Sequence, residues 1–263
     1  VSLHGGGGGG SDNLRQLRNW NETLAEEQIR TDYPCYVLAP QVTRAPRESR
    51  EPGENRETRE NRVPPTNRGW NTTHLQNIKD IIDDLPSVDM NRIYLYGHSM
   101  GGAGTYTFIQ SDPDYFAAAA PSAGSGLARG EDVIDASQFK ELPVWAFHGD
   151  QDGVCPIEKD QKVFAEMKEI GGNMKFTTWQ GDGHGIPIKN ITGGDNGITE
   201  FSSDLCNPEP VFLKWLFAQR KTPAWVKLHE PHVYKDMNYR LLKPINFDPD
   251  MSYPVIVSLH GAG

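Results

Sequence analysis

One serine, a pair of aspartates and one histidine stand at spacings that could perform nucleophilic catalysis. Gly97-His98-Ser99-Met100-Gly101 follows the apolar run 92–96 and precedes a glycine-rich helix start. G-x-S-x-G between a strand and a helix makes a sharp, strained turn whose outer positions must be small. It lifts the serine hydroxyl clear of a sheet and turns a helix N-terminus toward it. A serine hydroxyl is a poor nucleophile without a base, and the base needs an orienting acid. Both follow downstream, in the order Ser, Asp, His. The run 144–148 ends in Gly149-Asp150-Gln151-Asp152, and the run 175–179 leads into Gly181-Asp182-Gly183-His184-Gly185. The carboxylates thus fall just past the C-terminal end of a strand, where sites lie in open α/β sheets. A histidine flanked by glycines can swing toward Ser99. The chemistry such a set could do is acyl transfer.

The elements that must hold these groups are legible as an alternation of apolar runs, Gly/Pro breaks and helix-period segments, which predicts an α/β fold. Strands are expected at 35–39, 92–96, 116–120, 144–148, 175–179 and 254–259, and helices at 12–18, 74–85, 101–110, 157–170 and 210–219. Residues 239–242 read as part of an antiparallel hairpin leading into 254–259, with the turn-rich stretch 246–250 between them. Two segments stand apart. Residues 41–69 hold seven Arg, five Glu and four Pro with almost no apolar residue, the composition of a solvated, mobile loop; an Arg-lined rim for anionic substrates is the weaker alternative. Residues 186–206, rich in Gly, Asn and Asp, read as a second long insertion.

Composition narrows the classes. The chain has 263 residues, 37% of them hydrophobic, and a formal net charge of −9. It is long enough for a sizeable core, no apolar run approaches the roughly 20 residues of a membrane span, and a general nucleic-acid binder would need a basic footprint. No nucleic-acid or membrane partner is expected. Cys35, Cys155 and Cys206 are too few for a disulfide scaffold and lack metal-ligand spacing. Cys35, inside an apolar run, reads as a buried small hydrophobe; a Cys155–Cys206 pair stays open. The sequence starts without Met or a signal peptide, so either the start was removed or it is not the natural one.

The two ends repeat each other: Val1-Ser2-Leu3-His4-Gly5 recurs as Val257-Ser258-Leu259-His260-Gly261. The first copy runs on through glycines to Gly10. The second is preceded by a full apolar strand. The repeat reads as a circular permutation cut in a glycine loop, or as one period of a tandem or circularised sequence; either way residues 222–263 belong structurally before residue 1. The second copy, with its longer strand, is expected in the sheet, with Gly5–Gly10 as a slack connector.

With these motifs on the page, the chain resembles the α/β-hydrolase superfamily, in the branch of secreted esterases and predicted peptidases near polyhydroxybutyrate depolymerases and feruloyl esterases. The resemblance runs through residues 239–263, 10–17, 33–41, 91–106, 145–156 and 181–185, hence nearly the whole chain once 222–263 are moved to the front. It implies a single α/β-hydrolase domain over 1–263, a mostly parallel sheet flanked by helices, and termini displaced into the oxyanion-loop region. The family's H-G-x-x-D-x-x-V-P pattern matches His148 to Pro156, with Cys155 before the proline, which makes Asp152 rather than Asp150 the acid.

The catalytic set is then Ser99, His184 and Asp152. An oxyanion hole needs two N–H donors: Met100, after the nucleophile, and a residue of the loop after His-Gly, which is Gly6 in one copy and Ala262 in the other. A glycine run alone also suits a flexible linker, and a phosphate cradle fails because no P-loop Lys-Ser/Thr follows. Trp70 and His98 are candidate substrate contacts, with alternative readings as a Trp covering a helix edge and a His packed under the elbow. His148 reads as the end of a buried strand; His74, His229 and His232 lack zinc-site spacing. No metal or cofactor is expected. The leading expectation is a serine carboxylesterase acting on a short-chain or feruloyl-type aromatic ester, free or polysaccharide-linked. The alternatives are a serine peptidase of the prolyl-oligopeptidase type and a binding module impaired by the cut at the oxyanion loop. The resemblance favours a secreted or periplasmic setting and leaves the oligomeric state open.

Overall fold

A computed structural model describes residues 1–43, 69–124 and 134–259. The chain divides into two compact units, Val1–Lys221 and Thr222–Gly263, each treated by itself.

The first unit is built on a six-stranded sheet in plain chain order: β1 (Ser2–Leu3), β2 (Tyr94–His98), β3 (Ala118–Ser122), β4 (Val144–Gly149), β5 (Met174–Trp179) and β6 (Gly197–Phe201). The first five are parallel and β6 runs antiparallel to β5. The inner strands are buried along their whole length, so they read as apolar runs rather than alternating patterns. Around the sheet lie α1 (Trp20–Leu24), α2 (Glu27–Asp32), α3 (Thr72–Asp83), α4 (Met100–Ser111), α5 (Glu158–Glu169), α6 (Pro187–Thr192) and α7 (Phe212–Ala218). One apolar cluster packs Leu75, Ile78, Phe108, Phe139, Phe164 and Met167 on one face of the sheet. A second, with Trp20, Trp145, Phe147, Phe212 and Trp215, contains side chains from β4 and α7. α3 starts with a reciprocal cap: His74 N–H donates to Asn71 Oδ1 at 3.1 Å and Asn71 N–H to His74 Nδ1 at 3.2 Å, satisfying two donors of the helix start.

Several expectations need correction. The first Val-Ser-Leu-His-Gly copy occupies the sheet, not the second. Ser2 and Leu3 pair with Tyr96 and Gly97, Ser2 N–H donates to the Leu38 carbonyl at 2.8 Å, and the Ser2 hydroxyl lies between Asn21 and the Trp20 indole N–H. Two residues suffice because both edges and both side chains are engaged. Residues 35–39 form no strand, and Cys35 is exposed; the Leu38 carbonyl meets the short β1 through Ser2 N–H. The helix expected at 12–18 is a single 3₁₀ turn, Arg15–Leu17, with α1 starting after it. The long insertion read at 186–206 carries α6 and the edge strand β6. Cys155 and Cys206 are buried, free thiols. Most of the charged stretch 41–69 lies outside the described residues.

The second unit holds α8 (Ala224–Lys227) and an antiparallel hairpin of β7 (His229–Tyr234) and β8 (Met237–Leu242). The hairpin expected around 239–242 thus exists, but its partner strand precedes it. The strand expected at 254–259 does not form: 252–259 have no regular secondary structure, and Ile256 is 94% and Leu259 87% exposed.

Candidate active site

β2 delivers the serine. Ser99 follows its last residue at φ 61°, ψ −119° and caps α4, a backbone conformation costly for a residue with a Cβ. The strain is held by close packing: a Cβ at Gly97 would lie 2.2 Å from the Gly101 carbonyl oxygen, and one at Gly101 1.9 Å from that of Leu3. Ser99 N–H donates to the Ser122 carbonyl at 2.9 Å, tying the elbow to the end of β3.

The base and acid come from the loops after β5 and β4. His184 Nε2 lies 2.8 Å from Ser99 Oγ, and its Nδ1 lies 2.7 Å from Asp152 Oδ2. Asp152 Oδ1 accepts from the N–H groups of Val154 and Cys155 at 2.8 and 2.9 Å. Burial pushes the Asp152 carboxyl upward, but these bonds and His184 outweigh it and hold the group below the usual carboxylate range. Asp150 faces the other way and accepts from Gly181 N–H at 2.7 Å. That bond and the one from Gln151 N–H to the Asp182 carbonyl, 2.9 Å, join the loop that carries Asp152 to the loop that carries His184.

The glycine run is ordered rather than slack. Gly6–Gly8 form a 3₁₀ turn. Gly10 N–H donates to the Val42 carbonyl at 3.0 Å, and Gln41 Nε2 to the Gly8 carbonyl at 2.9 Å. The loop passes the nucleophile: a Cβ at Gly5 would sit 3.3 Å from Ser99 Cβ. Met100 opens α4, where N–H groups have no intrahelical partner. Ala262 lies outside the described residues.

Residues 23–193 match the dienelactone hydrolase family. The chain belongs to that family. It lies within the α/β-hydrolase superfamily that the motifs resemble. Over 170 residues, 54% of the chain, it is 28% identical to a bifunctional acetylxylan esterase/xylanase of Neocallimastix patriciarum, and over 125 residues, 46% of the chain, 29% identical to acyl-protein thioesterase 1 of Neurospora crassa. It spans 24% and 50% of those two proteins. Among solved structures, a thermostable esterase is 29% identical with a TM-score of 0.57, the match covering 83% of this chain and 54% of that one.

In this dienelactone hydrolase family member, Trp70 and His98, the two residues expected as substrate contacts, are both buried. Trp70 is buried against His4, His74 and Phe108, and its indole N–H donates to the His4 carbonyl at 3.1 Å. The indole thus braces the loop that begins at His4. His98 is buried with its ring 4.7 Å from that of His184 and its Nδ1 3.0 Å from Ser122 Oγ. Burial first, and the neighbouring His184 second, push His98 down to about 3, so it packs as a neutral ring under the base.

Three supporting residues escape sequence reading. Val42 N–H donates to His4 Nε2 at 3.1 Å, so His4 Nδ1 carries the proton toward the Gly5 carbonyl at 2.7 Å. Asn190 on α6 donates to Ser122 Oγ at 2.8 Å and accepts from the Trp179 indole at 2.7 Å. His148 contacts Asp160 and Asp152. The one available signal was His4 itself, standing before a glycine run.

Proposed function

We propose that this chain is a serine carboxylic-ester hydrolase working through an acyl-enzyme. The observation that carries the reading is the continuous hydrogen-bond path from Ser99 Oγ through the His184 ring to Asp152 Oδ2, set on an elbow with positive φ. His184 Nε2 takes the Ser99 proton as Oγ attacks the ester carbonyl. Asp152 holds the imidazole in the tautomer with Nδ1–H and stabilises the imidazolium. Met100 N–H and Gly6 N–H receive the developing oxyanion. The imidazolium then protonates the leaving alkoxide, and a water activated by His184 hydrolyses the acyl-enzyme. No step calls for a metal.

The substrate class is a short-chain or aromatic (feruloyl-type) ester, free or attached to a polysaccharide. Support for the first comes from the likeness to a relative whose name includes acetylxylan esterase. An ordered glycine loop continuous with β1 supports an active enzyme over an impaired binding module.

Initial rates on p-nitrophenyl acetate, acetylated xylan, ethyl ferulate and a peptide p-nitroanilide panel separate the classes. We expect turnover of esters only. Ser99→Ala should lose at least about 10³-fold in kcat while keeping its circular dichroism, since the residual rate comes from the oxyanion hole and binding alone. A fluorophosphonate should label Ser99 in the unsubstituted protein. A folded Ser99→Ala chain with near-normal turnover, or preferential cleavage of anilides, would overturn the reading.

A further inference from the structure

Behind the triad stands a second histidine–carboxylate pair. His148, at the buried end of β4, has Nδ1 2.5 Å from Asp160 Oδ2 in the first turn of α5. Its Nε2 lies 2.8 Å from the Cys155 carbonyl oxygen and 3.3 Å from Asp152 Oδ2. Asp160 Oδ1 accepts the Tyr106 hydroxyl from α4 at 2.8 Å. All four groups are buried.

The proton positions follow from donor and acceptor types. A carbonyl oxygen only accepts, so His148 Nε2 carries a hydrogen. The second proton lies between Nδ1 and Asp160 Oδ2. On Nδ1 it makes His148 an imidazolium between two carboxylates, Asp160 and Asp152. On Asp160 it leaves Asp152 facing a neutral ring. The other groups around His148 are the Cys155 thiol, the neutral ring of His98 and, beyond Asp152, His184. None of them supplies a competing fixed positive charge. Burial alone disfavours the imidazolium, but the Asp160 bond and charge, the Cys155 carbonyl and Asp152 outweigh it, so His148 is held above the ordinary histidine range.

We propose that Asp160 and His148 are positioning residues for the triad acid: His148, as an imidazolium, shares Asp152 Oδ2 with His184, pins the 149–156 turn through the Cys155 carbonyl, and weakens the pull of Asp152 on the His184 proton. The proposal rests on the reading of Ser99, His184 and Asp152 as a working triad. Its consequence is that the His148–Asp160 pair sets how strongly Asp152 Oδ2 holds the His184 ring. Tyr106 completes the arrangement by fixing the Asp160 rotamer from the helix that follows the nucleophile.

The test has two independent readouts. In ¹⁵N-histidine NMR of the whole chain, both His148 nitrogens should be protonated at pH 7, with the signals assigned by their loss in His148→Gln. Asp160→Asn keeps the side-chain volume and removes the counter-charge. In it, one His148 nitrogen should lose its proton, and the acid limb of kcat/KM on p-nitrophenyl acetate should move up by about one pH unit, with KM at the plateau unchanged. A wild-type His148 with one bare nitrogen at pH 7, or a folded Asp160→Asn profile superimposable on wild type, would overturn the proposal. If Asp160→Asn does not fold, the wild-type spectrum still decides. Failure of the triad reading is distinguishable, because an enzyme that neither labels with fluorophosphonate nor hydrolyses esters leaves the His148 signals to decide the charge assignment alone.

Discussion

The Trp70 indole N–H donates to the carbonyl of His4 at 3.1 Å, across 66 positions of sequence. The bond joins the residue entering α3 to the first residue of the glycine loop beside Ser99. Six glycines in succession cannot hold a shape by side-chain packing, so the loop depends on such outside bonds: Trp70 to His4, Gln41 to Gly8, and Val42 to both His4 and Gly10.

Trp70→Phe keeps an aromatic ring in the core and removes only this donor. A lost hydrogen bond to a buried carbonyl costs about 1–3 kcal/mol, and a loosened oxyanion donor costs rate more than binding. The variant should lose about tenfold in kcat with little change in KM, together with a lowered thermal midpoint. Unchanged kcat in a destabilised variant would show that the loop keeps its shape without the indole.

Which copy of the repeat carries the sheet can be read by truncating equivalent residues. Leu3 is fully buried and Leu259 is 87% exposed. Leu3→Ala should destabilise Val1–Lys221 by about 2–5 kcal/mol, and Leu259→Ala by less than about 0.5 kcal/mol. Urea unfolding followed by tryptophan fluorescence measures both. Equal losses, or a larger loss at Leu259, would mean that the second copy competes for the slot.

Asn190 probes the segment that sequence reading takes for a long insertion. Its amide joins Ser122 Oγ, the Tyr96 hydroxyl and the Trp179 indole, all buried. Asn190→Leu would leave the buried Trp179 indole N–H without its acceptor and take one bond each from Ser122 Oγ and the Tyr96 hydroxyl, which keep His98 and the Pro187 carbonyl, at about 1–3 kcal/mol. Because Ser122 Oγ also meets His98, whose ring packs on His184, the same change should lower kcat. A variant as stable and active as wild type would show that water replaces the amide.

The meeting of Ser99, His184 and Asp152 was legible because each position depends on local grammar: a glycine-flanked elbow after an apolar run, and loops at the ends of buried strands. Asp152 was separable from Asp150 only through a family pattern, since both follow the same strand. The supporting shell was not legible. Trp70, Asn190 and Asp160 act across 66, 68 and 12 positions on His4, Ser122 and His148, and no local period encodes such pairs. The strand at 254–259 was misplaced because apolar content marks a segment able to pair, not the partner it finds. β1 is two residues long, yet its connection to the glycine loop and bonds to Tyr96 and Leu38 seat it.

Lys175 sets a pH dependence of stability that is independent of the triad. It is 1% exposed, on β5, with Nζ 3.4 Å from the centroid of the Trp145 ring and 5.2 Å from that of Trp215, and it donates to the Glu209 carbonyl at 2.7 Å. Burial lowers its pKa to about 7, against smaller upward pulls from Cys206 and Glu209. The unfolded chain gives up the same proton only near about 10.4. Between these values the unfolded state binds more protons than the native state, so stability rises with pH. Below about 7 both states are charged, and the cost of burying the ammonium is present in full. Lys175→Met fills the same space without a charge. Its advantage over wild type in urea unfolding should therefore be greatest at pH 6, smaller at pH 8.5 and smallest at pH 10. A difference that stays constant across this range would mean that the Trp145 and Trp215 faces and the Glu209 carbonyl compensate the buried charge fully, and that Lys175 titrates alike in both states.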